Sequence, residues 1–313
     1  MAISEFEAQV FQKVHPKEYQ QRFLAQAIRT DGRAFDQFRN TKITKGGIET
    51  AHGSSTVRIG RTTVVCGIKG EVCEPRLISA AYPQAGSRGF IVPSVKLTSI
   101  SSSKFLQGGA TNQISQVLSE QVYRLLFTSD SNSKHAQNDN LEDFSTLLDQ
   151  LCIAKDKAVW VLYADLVCIN YDGNILDAVL LALINALKDV KLPVATFDEE
   201  LGVVFCGNDG AGASASASAS VGDSNDGQKV SLQLKSNLYP TSFCVFSSGE
   251  NKCLLVDPTE LEEDSCDGSI SLVLDDSGAI VNIWKLGDGV GTDELELCYE
   301  RALQRKKELA SML

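Results

Sequence analysis

The chain has 313 residues, of which 43% are apolar and 22% charged, and its formal net charge is -11 at pH 7. This balance is typical of a globular protein with a sizeable core, and the apolar runs are shorter than the roughly 20 residues that a membrane span needs. The acidic balance argues against a protein that binds nucleic acid by itself, because such proteins usually present a basic face.

The nine cysteines form no Cys-x-x-Cys pair, and the chain has only three histidines, far apart in sequence. Zinc ligands usually come in closely spaced pairs, so we expect no metal site and no cofactor. Cysteines inside apolar runs behave as small core residues. The start of the chain does not have the charged and then apolar pattern of a signal peptide, so none is expected. Together with the scattered cysteines, this predicts a reducing compartment, the cytosol or the nucleus.

The first half of the chain alternates between β-branched runs and apolar residues at helical spacing. A tight hairpin is predicted at Gly60-Arg61, and the polar stretch 128–140 predicts an exposed insertion. The predicted strands cover 41–44, 55–60, 62–72 and 89–100. The predicted helices cover 15–29, 111–127 and 141–151.

The second half begins with a long strand over 158–174 that ends at a turn, Asp172-Gly173. The helix predicted over 175–190 is apolar almost all round, so it is expected to lie between layers rather than on the surface. The Gly/Ala/Ser tract 207–228 predicts a flexible insertion. Five short strands and a C-terminal helix follow, at 230–235, 241–246, 252–257, 270–275, 279–286 and 292–313.

Strands followed by packed helices, twice over, predict an α+β fold with two related halves. The predicted organisation is an N-terminal helix, a first domain, a flexible linker that contains the Gly/Ala/Ser tract, and a second domain with a C-terminal helix. The corresponding ranges are 1–29, 30–193, 194–229 and 230–313.

One short stretch, residues 254–269, is unusually rich in carboxylates and is called the acidic segment below. Its acidic residues are Asp257, Glu260, Glu262, Glu263, Asp264 and Asp267. Such a cluster is expected either of a catalytic or metal-binding site or of a charged surface loop. The resemblance described below implies the second interpretation, a solvated loop between two core strands.

Four stretches, taken in order, resemble the RNase PH-type ring subunits of the eukaryotic RNA exosome core. They are "RTDGRAFDQFR" (29–39), the strand pair at 49–72, the strand, turn and helix at 159–187, and the segment 254–287. The "YDGNILDA" and "VDPT" sequences are more similar to the non-phosphorolytic subunits than to the active ones.

The resemblance implies an RNase PH fold, with two βαβα-like halves, mixed sheets and packed helices. It also implies a six-membered ring of related subunits, S1/KH cap subunits on one face, RNA as a ligand, and catalytic nucleases that associate with the ring. The implied localisation is the nucleus, the nucleolus and the cytoplasm.

Active members of the family hold phosphate with arginines and small residues and use a pair of carboxylates in an acidic segment that precedes a strand. Here Asp264 matches the first carboxylate, while Ser269 stands where the second is expected. Asn174 and Ile175 stand where active members place Gly-Thr-Arg. A serine hydroxyl cannot share a divalent ion as a carboxylate does, so the resemblance implies a subunit without catalysis, with Asp264 as a vestige.

Three basic residues, Lys104, Arg88 and Arg124, are the candidates for lining an RNA path. Two alternatives stay open. The first is an active 3′→5′ phosphorolytic exoribonuclease that uses Asp264 and Asp267 as its acid pair. The second is a stand-alone RNA-binding module.

Overall fold

The structure is a computed structural model that describes residues 5–75, 88–106, 108–127, 142–206, 229–234, 237–248, 251–287 and 290–312. The helices are α1 (Glu5–Val14), α2 (Pro16–Leu24), α3 (Gly108–Phe127), α4 (Glu142–Gln150), α5 (Ile175–Asp189), α6 (Glu260–Ser265) and α7 (Thr292–Ala310). The strands are β1 (Thr41–Lys45), β2 (Gly53–Ile59), β3 (Thr62–Cys73), β4 (Phe90–Leu97), β5 (Cys152–Ala154), β6 (Ala158–Asn170), β7 (Lys191–Pro193), β8 (Ala195–Asp198), β9 (Val203–Cys206), β10 (Lys229–Ser231), β11 (Tyr239–Ser248), β12 (Asn251–Val256), β13 (Gly268–Leu274) and β14 (Ile280–Gly287). Within these ranges no helix is long and apolar enough to cross a membrane.

The first half of the chain forms a sheet in the order β1-β2-β3-β6-β4, with β5 paired to one end of β6. Strands β4 and β6 are parallel, and the other pairs are antiparallel. The predicted hairpin is confirmed, since Ile59 lies opposite Thr62. Gly60 between them has φ +57°, a conformation that glycine adopts without steric cost.

Helix α5 lies at the centre of the fold, as its apolar sequence predicts. Every residue from Leu176 to Leu187 is buried. One side of the helix packs on β2 and β3, and another packs on β11 of the second sheet. An apolar side chain on every face leaves no surface for water, so both halves of the chain share one core around this helix.

The second sheet is antiparallel, in the order β12-β11-β13-β14. Helix α7 packs on β11 and β13. A second, smaller apolar cluster contains Cys244, Phe246 and Leu255 from β11 and β12, packed with Leu24 and Phe35. Residues that precede the first sheet therefore cover part of the second one.

The α+β class is confirmed, but the N-terminal helical region differs from the prediction. The helix expected over 15–29 begins at Pro16, ends at Leu24 and is preceded by α1. Proline is favoured in the first helical turn because its missing N–H has no helical partner there. Beyond Leu24 the chain turns, with Ala27 at φ +56°.

Part of the expected linker is ordered into strands. Strands β8 and β9 pair as a hairpin within residues 195–206, where Val, Thr and Phe favour extended structure. Leu192 of β7 lies opposite Val230 of β10, so the chain leaves and returns at neighbouring positions. The tracts 128–140 and 207–228 lie outside the described residues, and the domain boundaries stay predictions.

Candidate functional site

The acidic segment joins β12 to β13, and its middle part is the short helix α6. The N–H of Thr259 donates to Oε2 of Glu262 at 2.8 Å, which forms a capping box with the Thr259 side chain and satisfies exposed donors at the helix start. Asp257 is 1% exposed and Glu262 is fully buried. The expectation of a solvated loop is therefore wrong for this part of the segment.

Asp257 is held by Arg39, which precedes the first sheet. The backbone N–H of Arg39 donates to Oδ2 of Asp257 at 2.8 Å, its Nε donates to the same oxygen at 2.9 Å, and Nη2 donates to Oδ1 at 2.8 Å. Asp257 directly follows β12 and has φ +47°. Burial alone would raise the pKa of Asp257, but the hydrogen bonds and charge of Arg39 outweigh it and lower the pKa to about 2.

Glu262 is held by Arg29 in a two-bond ion pair whose side chains are both 0% exposed. Nε of Arg29 donates to Oε1 at 2.9 Å, and Nη2 donates to Oε2 at 2.5 Å. Nη1 of the same arginine donates to the carbonyl of Val256 at 2.8 Å. A paired guanidinium and carboxylate satisfy each other where water is excluded, so this contact fixes the N-terminal segment to the end of β12.

Glu263 faces the turn that follows β6. Its carboxylate accepts from the hydroxyl of Tyr171 at 2.8 Å and from the N–H of Asn174 at 2.7 Å. Burial raises the pKa of Glu263 to about 7, against the opposing effect of these two donors. The turn lies so close that a Cβ on Gly173 would stand 2.5 Å from the carbonyl carbon of Thr259.

Asp177, in the first turn of α5, joins this helix to the second sheet. It accepts from the N–H of Ser242 at 3.0 Å and from its hydroxyl at 2.7 Å. The amide of Asn174 donates to both Asp177, at 2.9 Å, and Asp257, at 2.6 Å. Burial raises the pKa of Asp177 to about 6. Asn174, the position at which the resemblance implies a phosphate-binding sequence in active members, thus joins α5 to β11 and β12.

Asp264 and Asp267 are the exposed members of the segment, and they have different partners. Nζ of Lys104 donates to Oδ1 of Asp264 at 2.5 Å. Asp267 accepts from the N–H of Ser247 at 2.9 Å and has Lys17 at 3.6 Å. In the described part of the chain, no three His, Cys, Asp or Glu side chains are grouped so that they could hold a metal ion.

Ser269 lies on β13, half-buried, between Cys244 of β11 and Leu286 of β14. Its hydroxyl is therefore presented from a strand, whereas Asp264 is presented from α6. The position that the resemblance assigns to a second carboxylate carries no charge.

The three basic residues proposed to contact RNA do not form one group. Helix α3 runs antiparallel to β4, because Ser119 accepts from Val95 and the earlier Ser115 accepts from the later Leu97. Arg88 and Arg124 therefore lie towards the start of β4, and Lys104 lies beyond its end. Arg88 is paired with Asp149 at 2.9 Å, and Arg124 is paired with Glu120 at 2.8 Å. Lys104 is paired with Asp264. Contact with RNA stays a prediction for each.

Comparison with protein families matches each half of the chain to one domain of the same family. Residues 37–193 match the 3′ exoribonuclease family, domain 1, and residues 240–305 match domain 2 of the same family. The chain belongs to the RNase PH family. Within it, the chain is 36% identical over 282 residues to "Exosome complex component rrp43" of Schizosaccharomyces pombe, covering 90% of this chain and 88% of the relative.

Other RNase PH-type relatives extend this similarity to archaea. The chain is 28% identical to "Exosome complex component Rrp42" of Methanothermobacter thermautotrophicus, over 91% of this chain and 89% of the relative. A chain of the solved structure "Archaeal exosome core" matches with a TM-score of 0.64 and 25% identity, covering 96% of this chain and 98% of that one. The resemblance to exosome-type RNase PH subunits is confirmed.

Sequence reasoning missed the residues that organise this RNase PH site, Arg29, Arg39, Tyr171 and Asn174. The two arginines lie inside "RTDGRAFDQFR", a stretch recognised only for its family pattern. Three arginines within eleven residues of an acidic chain are a signal for carboxylate partners, because guanidinium pairs well with carboxylate. The identity of those partners required the fold.

Proposed function

We propose that this RNase PH-type chain is a subunit of an exosome core ring that contributes no phosphorolytic site of its own. It would support 3′→5′ RNA processing and degradation by building the ring and helping to thread RNA towards a nuclease supplied elsewhere. Its partners would be other RNase PH-type ring subunits, S1/KH cap subunits, RNA and associated catalytic nucleases. The proposed location is the nucleus, the nucleolus and the cytoplasm.

The observation that carries this proposal is the engagement of the acidic segment. Asp257 and Glu262 are buried against Arg39 and Arg29, and Glu263 is bonded to the turn after β6. Phosphorolysis requires carboxylates that can share a divalent ion or a proton with the reacting groups. Side chains whose oxygens are already used to join parts of the fold are poor candidates for that role.

The remaining carboxylates also argue against chemistry. Asp264 is paired with Lys104, and Asp267 is bonded to the backbone of β11 through Ser247. A phosphate nucleophile must be neutralised and aimed by several cationic or N–H donors. The turn that would supply them holds Asn174, whose amide is bonded to two aspartates.

A phosphorolysis assay tests the proposal. The purified chain, and separately a reconstituted ring, would be incubated with labelled RNA, phosphate and magnesium, with wild-type chain, Asp264→Asn or Asp165→Asn. Asp165 is the matched control, an exposed aspartate paired with Lys96 at 2.7 Å on the first sheet. We expect no nucleoside diphosphates from the chain alone and equal release from the three rings.

The opposite outcome would identify an enzyme. Nucleoside diphosphates released by the pure chain, and lost in Asp264→Asn but kept in Asp165→Asn, would show that Asp264 is catalytic. Loss in Asp267→Asn as well would support the acid pair of the exoribonuclease alternative.

A further inference from the structure

The second sheet has an open edge along β12. Among the described strands, β12 pairs with β11 on one side and with none on the other. The N–H of Asp257 donates to the carbonyl of Ser242 at 3.0 Å, and this bond continues the antiparallel register of β12 and β11. Because the backbone groups of successive residues in a strand point to opposite sides, those of Lys252, Leu254 and Val256 point away from β11.

Only the last of these three positions is bonded to another part of the described chain. The N–H of Val256 donates to the carbonyl of Phe35 at 3.1 Å, and its carbonyl accepts from Nη1 of Arg29 at 2.8 Å. Within the described residues, no hydrogen bond reaches the outward N–H and C=O groups of Lys252 and Leu254. Backbone groups are strong donors and acceptors, so this edge can pair with a further strand.

The edge of the first sheet at β4 is closed, in contrast. The N–H of Val95 donates to Oγ of Ser119 at 2.9 Å, and the N–H of Leu97 donates to Oγ of Ser115 at 3.4 Å. Helix α3 therefore satisfies the outward donors of β4. Prolines and bulges are other devices that protect an edge strand, and β12 has neither, since its sequence is NKCLLV and its register with β11 is continuous.

A groove with apolar walls runs beside the open edge of β12. Its volume is about 510 Å³, and its walls include Phe35 from the segment before the first sheet, Leu254 from β12 and Leu297 from α7. Phe35 and Leu254 are half-buried, and Leu297 is 40% exposed. Unpaired backbone groups and apolar side chains thus face the same space, which is the combination that recognises an extended peptide.

The two cations at the rim of this groove are already paired. Nζ of Lys252 lies 2.8 Å from Oε1 of Glu294, and Nη1 of Arg301 lies 3.2 Å from Oδ2 of Asp36. Each positive charge has one negative partner, so the rim presents no excess of either sign. Complementary surfaces match in charge as well as in shape, and an uncharged apolar segment complements this rim better than a strongly acidic or basic one.

We propose that this groove is a docking site for an extended peptide segment of a partner protein, which adds to the second sheet as a strand beside β12. Main-chain bonds to Lys252 and Leu254 supply the pairing. The segment carries apolar side chains at alternate positions, because every second residue of a strand points to the same side. This inference concerns a surface of the chain and does not depend on the proposed ring function.

Amide hydrogen exchange of the full-length chain, resolved by NMR, tests the docking site. The probes are three capped peptides that alternate threonine with valine, leucine or phenylalanine and end in lysine for solubility. At least one should slow the exchange of the Leu254 and Lys252 N–H groups by about tenfold or more, because a bonded amide exchanges only when it opens. The same peptide, N-methylated along its backbone, should give no protection, since it keeps its side chains and loses its donors.

Two matched substitutions locate the added strand. Leu297→Asp places a carboxylate in the wall of the groove and should weaken peptide binding, measured by fluorescence anisotropy, by at least about tenfold. Leu286→Asp is the control, because Leu286 is a 67% exposed leucine on β14, the opposite edge strand of the same sheet. It should bind the peptide as tightly as the wild type does. Both leucines are exposed, so both variants should fold, which far-UV circular dichroism checks.

Four outcomes would overturn the proposal. One is the absence of protection at both amides with all three peptides. Another is equal protection by the N-methylated form, which cannot add as a strand. A loss of binding in Leu286→Asp but not in Leu297→Asp would place the added strand at β14. Finally, exclusion of Leu297→Asp from a reconstituted ring that accepts the wild type and Leu286→Asp would assign the groove to a neighbouring ring subunit.

Discussion

Within the acidic segment, carboxylates of the same chemical type behave in two ways. Asp257 and Glu262 are buried, and each is bound by an arginine that lies more than 200 residues earlier in the chain. Asp264 and Asp267 are exposed and meet the lysines Lys104 and Lys17. The difference shows that the density of acid in a sequence does not reveal whether its members build the fold or face a ligand.

The energetic consequences of the two arrangements differ as well. An exposed ion pair contributes little, since water and salt screen it. Removing one partner of a buried pair leaves an uncompensated charge in a poorly solvated place, which costs much more. Substitutions at the buried ion pairs should therefore lower the free energy of unfolding much more than substitutions at the exposed pairs.

The largest effect is expected from Arg29→Met. This substitution leaves the carboxylate of Glu262 buried without its partner and should lower the free energy of unfolding by about 3–5 kcal/mol. Denaturant unfolding monitored by far-UV circular dichroism measures the change. Arg58→Met is the matched control, because Arg58 is exposed and its Nε donates to the nearby carbonyl of Gly60. This substitution should cost less than about 0.5 kcal/mol.

The double variant Arg29→Met/Glu262→Met sharpens the same comparison. With both charges removed, part of the lost stability should return. A double variant that is less stable than Arg29→Met by the full cost of a second buried substitution would show that the two side chains do not interact.

A smaller, pH-dependent effect is expected from Glu263→Gln. Glu263 has a folded pKa of about 7 against an ordinary value of 4.5, so the folded state binds its proton more tightly than the unfolded state does. The resulting stability is fully present below about pH 4.5 and is lost as the pH rises to about 7. Relative to the wild type, the variant should lack this slope, which amounts to at most about 3 kcal/mol.

Tyr171→Phe tests whether the pH dependence of stability comes from Glu263 or from acidic residues elsewhere in the chain. The Tyr171 hydroxyl lowers the pKa of Glu263, so its removal should move the upper end of the slope to higher pH. Urea unfolding at half-unit pH intervals measures both variants. Parallel profiles for wild type and Glu263→Gln between pH 4.5 and 7 would contradict the assignment.

The smallest effect is expected from Asp264→Asn. The pair with Lys104 is exposed, with side chains 53% and 38% accessible, so the substitution should change the free energy of unfolding by less than about 0.5 kcal/mol. The same unfolding assay measures it. A loss of stability comparable with that of Arg29→Met would show that the exposed pair of Asp264 supports the fold as strongly as the buried pair of Glu262.

Most of the elements could be predicted from local sequence. The hairpin at Gly60, the strands of the first sheet and the apolar helix α5 follow from turn chemistry and hydrophobic periodicity, which act over a few residues. The hairpin within 195–206 and the short helix α6 were missed. The hairpin lies beside the Gly/Ala/Ser tract, so the whole of 194–229 is predicted as a flexible linker. Helix α6 has only six residues, and its consecutive acidic residues are equally typical of a surface loop.

The sequence by itself determined the α+β class, the order of most elements and the family pattern, because these depend on short-range spacing and on motifs that survive in register. Only the tertiary structure decided which carboxylates are buried. Arg29 reaches Glu262 across 233 residues, and Arg39 reaches Asp257 across 218. Such pairs form because the fold brings the N-terminal segment to the end of β12, where a carboxylate deprived of water requires a cation.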